Sequence, residues 1–180
     1  MFAFVPGRCP GLSYCAPLGL KSGAIYKMPD LTFHMGKFPA ELPGELRYAP
    51  TNHMWARESD GCWRFGFTAY AVRLMQDVYF LEWHLSDGNA VELLQQIGNI
   101  ETSKAESALY APLKGTITAF NKELLKDPSG INVEGYGGGW LFEMDADASM
   151  LLSADEYHQF LEEGWEKTQR YIKGKINTED

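Results

Sequence analysis

The chain lacks the features that mark membrane, nucleic-acid-binding and disulfide-rich proteins. No apolar run approaches the roughly 20 residues that a membrane-spanning helix needs. Basic residues are outnumbered, 16 to 24, and the net charge of -8 opposes binding to a phosphate backbone. The three cysteines, Cys9, Cys15 and Cys62, are odd in number and lack metal-ligand spacing. We therefore predict no membrane span, no nucleic-acid partner and reduced thiols.

Residue types that build metal and hydrolase sites are present without the spacing that those sites need. The four histidines are scattered and include no His-x-x-x-His pair, so we predict no metal site. Ser13 and Ser103 lack the motif of a hydrolase nucleophile. His53 is predicted to be a packed or hydrogen-bonded structural residue.

The first 45 residues differ in composition and hydrophobic periodicity from the rest of the chain. They are rich in proline and glycine and lack periodicity, which predicts an irregular N-terminal extension. Residues 1–20 also lack the charged-then-apolar order of a signal peptide. The reduced thiols predict a cytoplasmic location. A transit peptide is the open alternative, because the stretch before Asp30 has a few basic residues and no acid.

From Leu46 onward, short apolar stretches alternate with turn residues, as is typical of β-strands. Strands are predicted at residues 48–56, 63–67, 78–83, 108–111, 116–120 and 140–144. Residues 91–101 are predicted to form strand segments broken near Gly98. Residues 68–74 are predicted to form one or two helical turns with Thr68 as N-cap.

The last predicted element is a helix over residues 153–173. Its apolar residues recur at helical spacing, Ser153 is at the cap, and acidic residues occupy the first turn. Many short strands followed by one helix indicate a mainly β protein, a small sandwich or flattened barrel. We expect a domain at 46–150, with the helical region 151–180 packed on it and the irregular extension 1–45 before it.

The segment Glu101-Thr102-Ser103-Lys104-Ala105 connects two predicted strands. Lys104 is therefore expected at the tip of a hairpin, with its amine in solvent. For a lone lysine, an ordinary exposed side chain is the simplest interpretation. The surrounding motifs favour a more specific one.

Several motifs occur in a fixed order around this lysine. They are Arg-Tyr-Ala-Pro at 47–50, His-Met-Trp at 53–55, Gly-Phe-Thr at 66–68, Glu-Thr-x-Lys-Ala at 101–105, Ser-Ala-Leu-Tyr-Ala-Pro-Leu-Lys-Gly-Thr at 107–116 and Tyr-Gly-Gly-Gly-Trp at 136–140. Glu-Thr-x-Lys-Ala resembles lipoyl attachment sites. Together the motifs resemble the glycine cleavage H-protein family from Leu46 to Met144.

The resemblance implies a non-catalytic, monomeric carrier with a lipoyl-type hybrid β-sandwich fold. Its cofactor would be lipoic acid, joined covalently to Lys104. Glu101 would help a lipoate ligase or lipoyl transferase recognise the site. A tethered dithiolane meets partner sites at high effective concentration and reacts by thiol–disulfide exchange.

The chain departs from the family at three positions where acids are usual. Met54, Ala108 and Gly138 stand there instead. Met54 and Ala108 are expected to form a surface near the arm that is unsuited to a cationic aminomethyl group. Glu106 or Asp77 could compensate.

These departures favour a sulfur-linked cargo. Similar carriers serve bacterial sulfur oxidation with a heterodisulfide reductase-like complex, and the chain resembles such a lipoate-binding protein. The alternative is an H protein that serves glycine decarboxylase and aminomethyltransferase. An unmodified scaffold also stays open, whereas biotin attachment is disfavoured because Ser103 and Ala105, not methionines, flank the lysine.

Overall fold

A computed structural model defines the fold of residues 28–176, with side chains described up to residue 170. Predictions about Cys9, Cys15 and Ser13 lie outside the described residues. The strands are β1 (Leu31–Met35), β2 (Phe38–Leu42), β3 (Arg47–Ala49), β4 (Met54–Ser59), β5 (Cys62–Phe67), β6 (Val78–Trp83), β7 (Ala90–Val91), β8 (Gln96–Thr102), β9 (Glu106–Tyr110), β10 (Gly115–Phe120) and β11 (Phe142–Ala146). The helices are α1 (Ala69–Met75), α2 (Gly130–Val133) and α3 (Ala154–Ile176), and a 3-10 turn covers Ala148–Met150.

The described strands form three antiparallel sheets. A six-stranded sheet has the order β3-β4-β5-β11-β10-β7, and a three-stranded sheet has the order β6-β8-β9. Strands β1 and β2 pair only with each other. The predicted mainly β sandwich with a C-terminal helix is thereby confirmed. None of the described helices has the length and apolar character needed to cross a bilayer.

The six-stranded sheet is covered on both faces. One core joins it to the three-stranded sheet, with Phe65, Ile100 and Phe142 among its members. A second core joins its other face to α3 and the β1–β2 hairpin. Because neighbouring side chains of a strand point to opposite faces, Met54 enters the first core and Trp55 the second.

The β1–β2 hairpin corrects one prediction. Residues 31–42 were expected to be irregular, yet they form two paired strands joined by a turn at Gly36, whose φ is 68°. Alternate residues Phe33, Ala40 and Leu42 are buried in the second core. Pro39 has no backbone N–H to donate. It is tolerated because β2 pairs with β1 alone, so one edge of β2 forms no strand-pairing hydrogen bonds. That proline concealed the period-two pattern.

The predicted single strand over residues 48–56 is also wrong, because the chain turns between β3 and β4. Pro50 lies at the start of that turn, and His53 has a φ of 52° at its end. The turn allows β3 and β4 to pair antiparallel, with Tyr48 opposite Trp55. It brings His53 under α3.

Two helix starts match the sequence-based expectation. The Thr68 hydroxyl accepts a hydrogen bond from the Ala71 N–H at 3.2 Å and so caps α1. Ser153 and Glu156 form a capping box at the start of α3. The Ser153 N–H donates to the Glu156 carboxylate at 2.8 Å, and the Glu156 N–H donates to the Ser153 hydroxyl oxygen at 3.4 Å. Trp165 of α3 packs edge-on against Phe33, which joins the helix to the hairpin.

His53 is a structural residue, as predicted. Its Nδ1 lies 2.8 Å from the hydroxyl oxygen of Tyr157 in α3. Burial lowers the pKa of His53 from 6.5 to about 4, because the charged imidazolium is poorly solvated there. The folded protein therefore holds His53 neutral at pH values where an unfolded chain takes up the proton.

This difference predicts a loss of stability in mild acid. Between the unfolded pKa of 6.5 and the folded pKa of about 4, the unfolded state binds more protons, so stability falls as the pH falls. From pH 7 to pH 5, we expect the His53 contribution to cost about 2 kcal/mol. Urea unfolding at both pH values measures it.

The matched variant is His53→Asn, since asparagine tolerates a positive φ and carries polar atoms near the position of Nδ1. Its loss of stability between pH 7 and pH 5 should be smaller than that of the wild type by that amount. Equal losses in the two proteins would contradict the assignment.

Candidate functional site

Lys104 lies in the tight turn between β8 and β9, as predicted. Thr102, which is only 6% exposed, holds the turn from within. Its N–H and hydroxyl both donate to the Ala105 carbonyl, at 3.1 Å and 3.0 Å. The same hydroxyl oxygen accepts from the N–H groups of Lys104 and Ala105, each at 3.3 Å. The backbone at Lys104 is therefore fixed without using its side chain.

A second set of contacts fastens the turn to the segment before β6. The Ser103 N–H donates to the Asp77 carbonyl at 3.0 Å, and the Ser103 hydroxyl lies 3.3 Å from Oε1 of Gln76. Gln76, the residue that ends α1, has a positive φ of 64°. The rigid turn therefore rests against the C-terminal end of α1.

The Lys104 side chain is exposed and almost without partners. Its Nζ makes one long contact, 3.5 Å to the Leu74 carbonyl oxygen. Lys104 takes part in none of the ion pairs formed among the described residues. Acylation removes the positive charge of a lysine, and here that loss breaks no ion pair. The site therefore fits a covalently attached acid such as lipoic acid.

Acidic side chains share the outer face of the three-stranded sheet with this turn. Glu101 and Glu106 are direct cross-strand partners, and Phe80 pairs with Glu101 on the other side. Like charges directly opposite each other disfavour strand pairing. The two carboxylates next to the Lys104 turn thus form an acidic surface, in which Oε1 of Glu106 accepts a hydrogen bond from the Asn99 side chain at 3.4 Å.

The structure corrects the prediction for Met54 and locates Ala108. Met54 is 1% exposed and lies in the first core, so it is not part of a surface near the arm. Its position on β4, paired with Ala49 and Phe67, turns it inward. Ala108 is half-buried and pairs with Asn99 of β8, on the sheet face that also carries Glu106.

Glu134 is a residue that the sequence analysis missed. A Cβ added to Gly138 would overlap its carboxylate oxygen Oε2, so this carboxylate fills the space where a side chain at position 138 would begin. The turn that brings them together is held by hydrogen bonds from the Gly137 and Gly139 N–H groups to the Glu134 carbonyl. An acid three residues before the glycine run at 137–139 was the available indication.

The expectation that no metal binds rests on spacing alone. Within residues 28–170, histidine, cysteine, aspartate and glutamate side chains form no cluster of three or more that would hold an ion. Cys62, the cysteine within the described residues, is buried.

The fold and the Lys104 turn define a class of protein, namely a β-sandwich that presents one lysine on a rigid hairpin. The glycine cleavage H-protein family profile matches residues 46–164. The chain is 41% identical to the glycine cleavage system H protein of Psychrobacter cryohalolentis over 128 residues, which are 68% of this chain and 99% of that protein. It belongs to the glycine cleavage H-protein family.

Two further comparisons agree. The glycine cleavage system H protein of Pseudoalteromonas translucida is 36% identical over 129 residues, 69% of this chain and 98% of that protein. The crystal structure of the H protein from Mycobacterium marinum superposes with a TM-score of 0.57 at 33% identity, covering 64% of this chain and 94% of that one.

Family membership decides two of the sequence-based predictions. Proteins of this family are non-catalytic carriers, and they hold lipoic acid covalently on a lysine. The prediction of a lipoyl carrier that is not itself an enzyme is thereby confirmed. The family match begins at residue 46, so the β1–β2 hairpin lies outside it.

Proposed function

We propose that this protein carries its lipoyl group on Lys104 and serves as the H-type carrier of a glycine cleavage system. The observation that carries the proposal is the exposed Lys104 amine, which has one long backbone contact and stands on a turn fixed by Thr102. When bound, the lipoyl group supplies a dithiolane that opens and closes by thiol–disulfide exchange. The protein presents it from a rigid support.

The residues around the lysine have two roles, namely holding the turn in place and being recognised by the modifying enzyme. Thr102 and Ser103 fix the turn to its own hairpin and to α1, so that motion is confined to the side chain. Glu101 lies three residues before the lysine on the acidic outer face. We assign it to recognition by a lipoate ligase or lipoyl transferase, whose binding surface would carry complementary positive charge. A cytoplasmic location stays a prediction.

Glycine cleavage is the better supported role. The relatives from Psychrobacter and Pseudoalteromonas are named glycine cleavage system H proteins, and the match spans nearly their whole length. An aminomethyl group is cationic and needs a carboxylate nearby. Glu106 shares a sheet face with Ala108, and the Glu134 carboxylate fills the space at Gly138. Acids therefore stand near two of the three positions where motif acids are missing.

A sulfur-linked cargo is the second candidate, with a heterodisulfide reductase-like complex as its partner. Met54 and Ala108 favour it, because neither side chain can pair with an ammonium ion. The burial of Met54 in the first core weakens this argument, since a core side chain does not by itself make a surface for sulfur.

Loading with glycine separates the two roles. The lipoylated protein is incubated with glycine decarboxylase and with glycine labelled at its methylene carbon. We expect the protein to acquire label at a rate within about tenfold of the lipoylated Psychrobacter H protein, which is the positive control. The same chain without lipoic acid should acquire none. Label on the control protein alone would reject the glycine cleavage role and favour sulfur.

A further inference from the structure

We propose that the β1–β2 hairpin builds a docking pocket for the dithiolane end of the lipoyl arm. The pocket has a volume of about 290 Å³ and lies between the hairpin, α1 and the segment around α2. The hairpin precedes the residues that match the family, so this wall is an addition to the family's domain. The inference rests on lipoylation of Lys104.

Two contacts attach the hairpin to α1 and thereby form the pocket. The guanidinium carbon of Arg73 lies 3.4 Å from the ring centroid of Phe38, which is a close cation–π contact. The Tyr136 hydroxyl accepts from the Ala69 N–H at 3.0 Å and donates to the Glu41 carbonyl. The hairpin, α1 and the chain after α2 are thus held together around a common space.

The lining suits an uncharged, sulfur-containing ring. Pro39, Val72 and the Phe38 ring supply apolar surface, and sulfur packs favourably against aromatic rings. Arg73 places a positive charge at the same wall, which repels a cationic group. The pocket therefore favours the unloaded arm in its oxidised, dithiolane form over an arm that carries an aminomethyl group.

The pocket is within reach of Lys104. The Lys104 Nζ already lies 3.5 Å from the carbonyl of Leu74, which follows Arg73 in α1. Ala69 is the α1 residue of the pocket lining that lies farthest along the helix from Leu74. The helix rises only about 7.5 Å between these two residues. A lipoyl group adds a carbonyl, a run of methylenes and the ring beyond Nζ, so it is long enough to enter along α1.

A second connection brings the pocket close to the lysine turn. Asn132 lines the pocket and binds both backbone groups of Val78, at 3.0 Å and 2.9 Å. Val78 is the cross-strand partner of Thr102, the residue that holds the turn. Pocket and lysine are therefore joined through β6 as well as through α1.

The direct test compares the protein with and without its lipoyl group. Intact mass first establishes whether Lys104 is modified. Methyl NMR signals of Val72 and Ala69 should then shift upon lipoylation, because the ring packs against them. Signal changes confined to residues 101–106 would overturn the docking inference and leave the proposed function standing. Absence of the added mass would overturn both.

A variant gives an independent measurement. Phe38 is 49% exposed, so Phe38→Ala should open the pocket while leaving both cores intact. Docking lowers the fraction of accessible disulfide, and we expect the variant's disulfide to be reduced about fivefold faster by a water-soluble phosphine. The matched control is Phe160→Ala in α3, at 41% exposure, which should not change the rate. Equal rates in wild type and Phe38→Ala would contradict docking.

Discussion

Lys104→Arg will abolish lipoylation of the protein. A ligase acylates a lysine amine through its uncharged form, whereas a guanidinium stays protonated at all accessible pH values and offers no such nitrogen. Incubation with a lipoate ligase, lipoic acid and ATP should add the mass of one lipoyl group to the wild type. The variant should gain no mass.

The variant is informative because the substitution leaves the turn unchanged. Arginine keeps the charge and the solvent exposure, and the hydrogen bonds that hold the turn come from Thr102 and the backbone. The Lys104 side chain contributes one contact of 3.5 Å, so its replacement costs little stability. Loss of modification in Lys104→Arg therefore reports chemistry and not unfolding.

Lys114→Arg is the matched control. Lys114 is an exposed lysine in the otherwise buried connection between β9 and β10, and its amine pairs with the Glu92 carboxylate at 2.9 Å. That variant should gain one lipoyl group like the wild type. If Lys104→Arg still gained the mass, the attachment site would lie elsewhere, and the acidic face around Glu101 would lose its assigned role.

Sequence patterns predicted the elements whose formation is decided locally. The β6 strand was predicted with its observed bounds, because its branched and aromatic residues lie between clear turn residues. The N-cap residues Thr68 and Ser153 predicted the starts of α1 and α3, because capping depends on atoms within one helical turn. The Lys104 hairpin belongs to the same group, because the turn and both strands are contiguous in sequence.

Features decided by distant contacts were missed. Burial of Met54 depends on the three-stranded sheet that covers β4, and no neighbour in sequence reveals it. The β1–β2 hairpin is stabilised by α3, which lies more than a hundred residues later and packs on Phe33. The Glu134 carboxylate reaches Gly138 only through the conformation of an irregular turn. In each case, the site's surroundings follow from packing and not from periodicity.

Gly98→Ala will destabilise the protein by about 3 kcal/mol. Gly98 is buried in β8, where β6 pairs with it. A Cβ at this position would overlap the Glu82 carbonyl oxygen and lie 2.9 Å from the Trp83 ring. The first contact is with backbone, which cannot rotate away, so the two strands must separate. Their separation strains the sheet that supports the Lys104 turn.

Urea unfolding followed by tryptophan fluorescence measures the effect. With a typical slope for a chain of this size, the midpoint should fall by about 1.5 M urea with little change in slope. Gly164→Ala is the matched control, because a Cβ there meets no atom within 4 Å and the residue lies inside α3. That variant should gain about 0.5–1 kcal/mol from helix propensity.

The two glycine variants separate steric from conformational effects, since each adds the same methyl group. Loss of stability at Gly98 with a gain at Gly164 would establish that contact with Glu82, and not the methyl group itself, is responsible. Because lipoylation requires only the folded turn, Gly98→Ala should still accept one lipoyl group in buffer without urea. A midpoint equal to that of the wild type would show that β6 and β8 are farther apart at Gly98 than the structure gives.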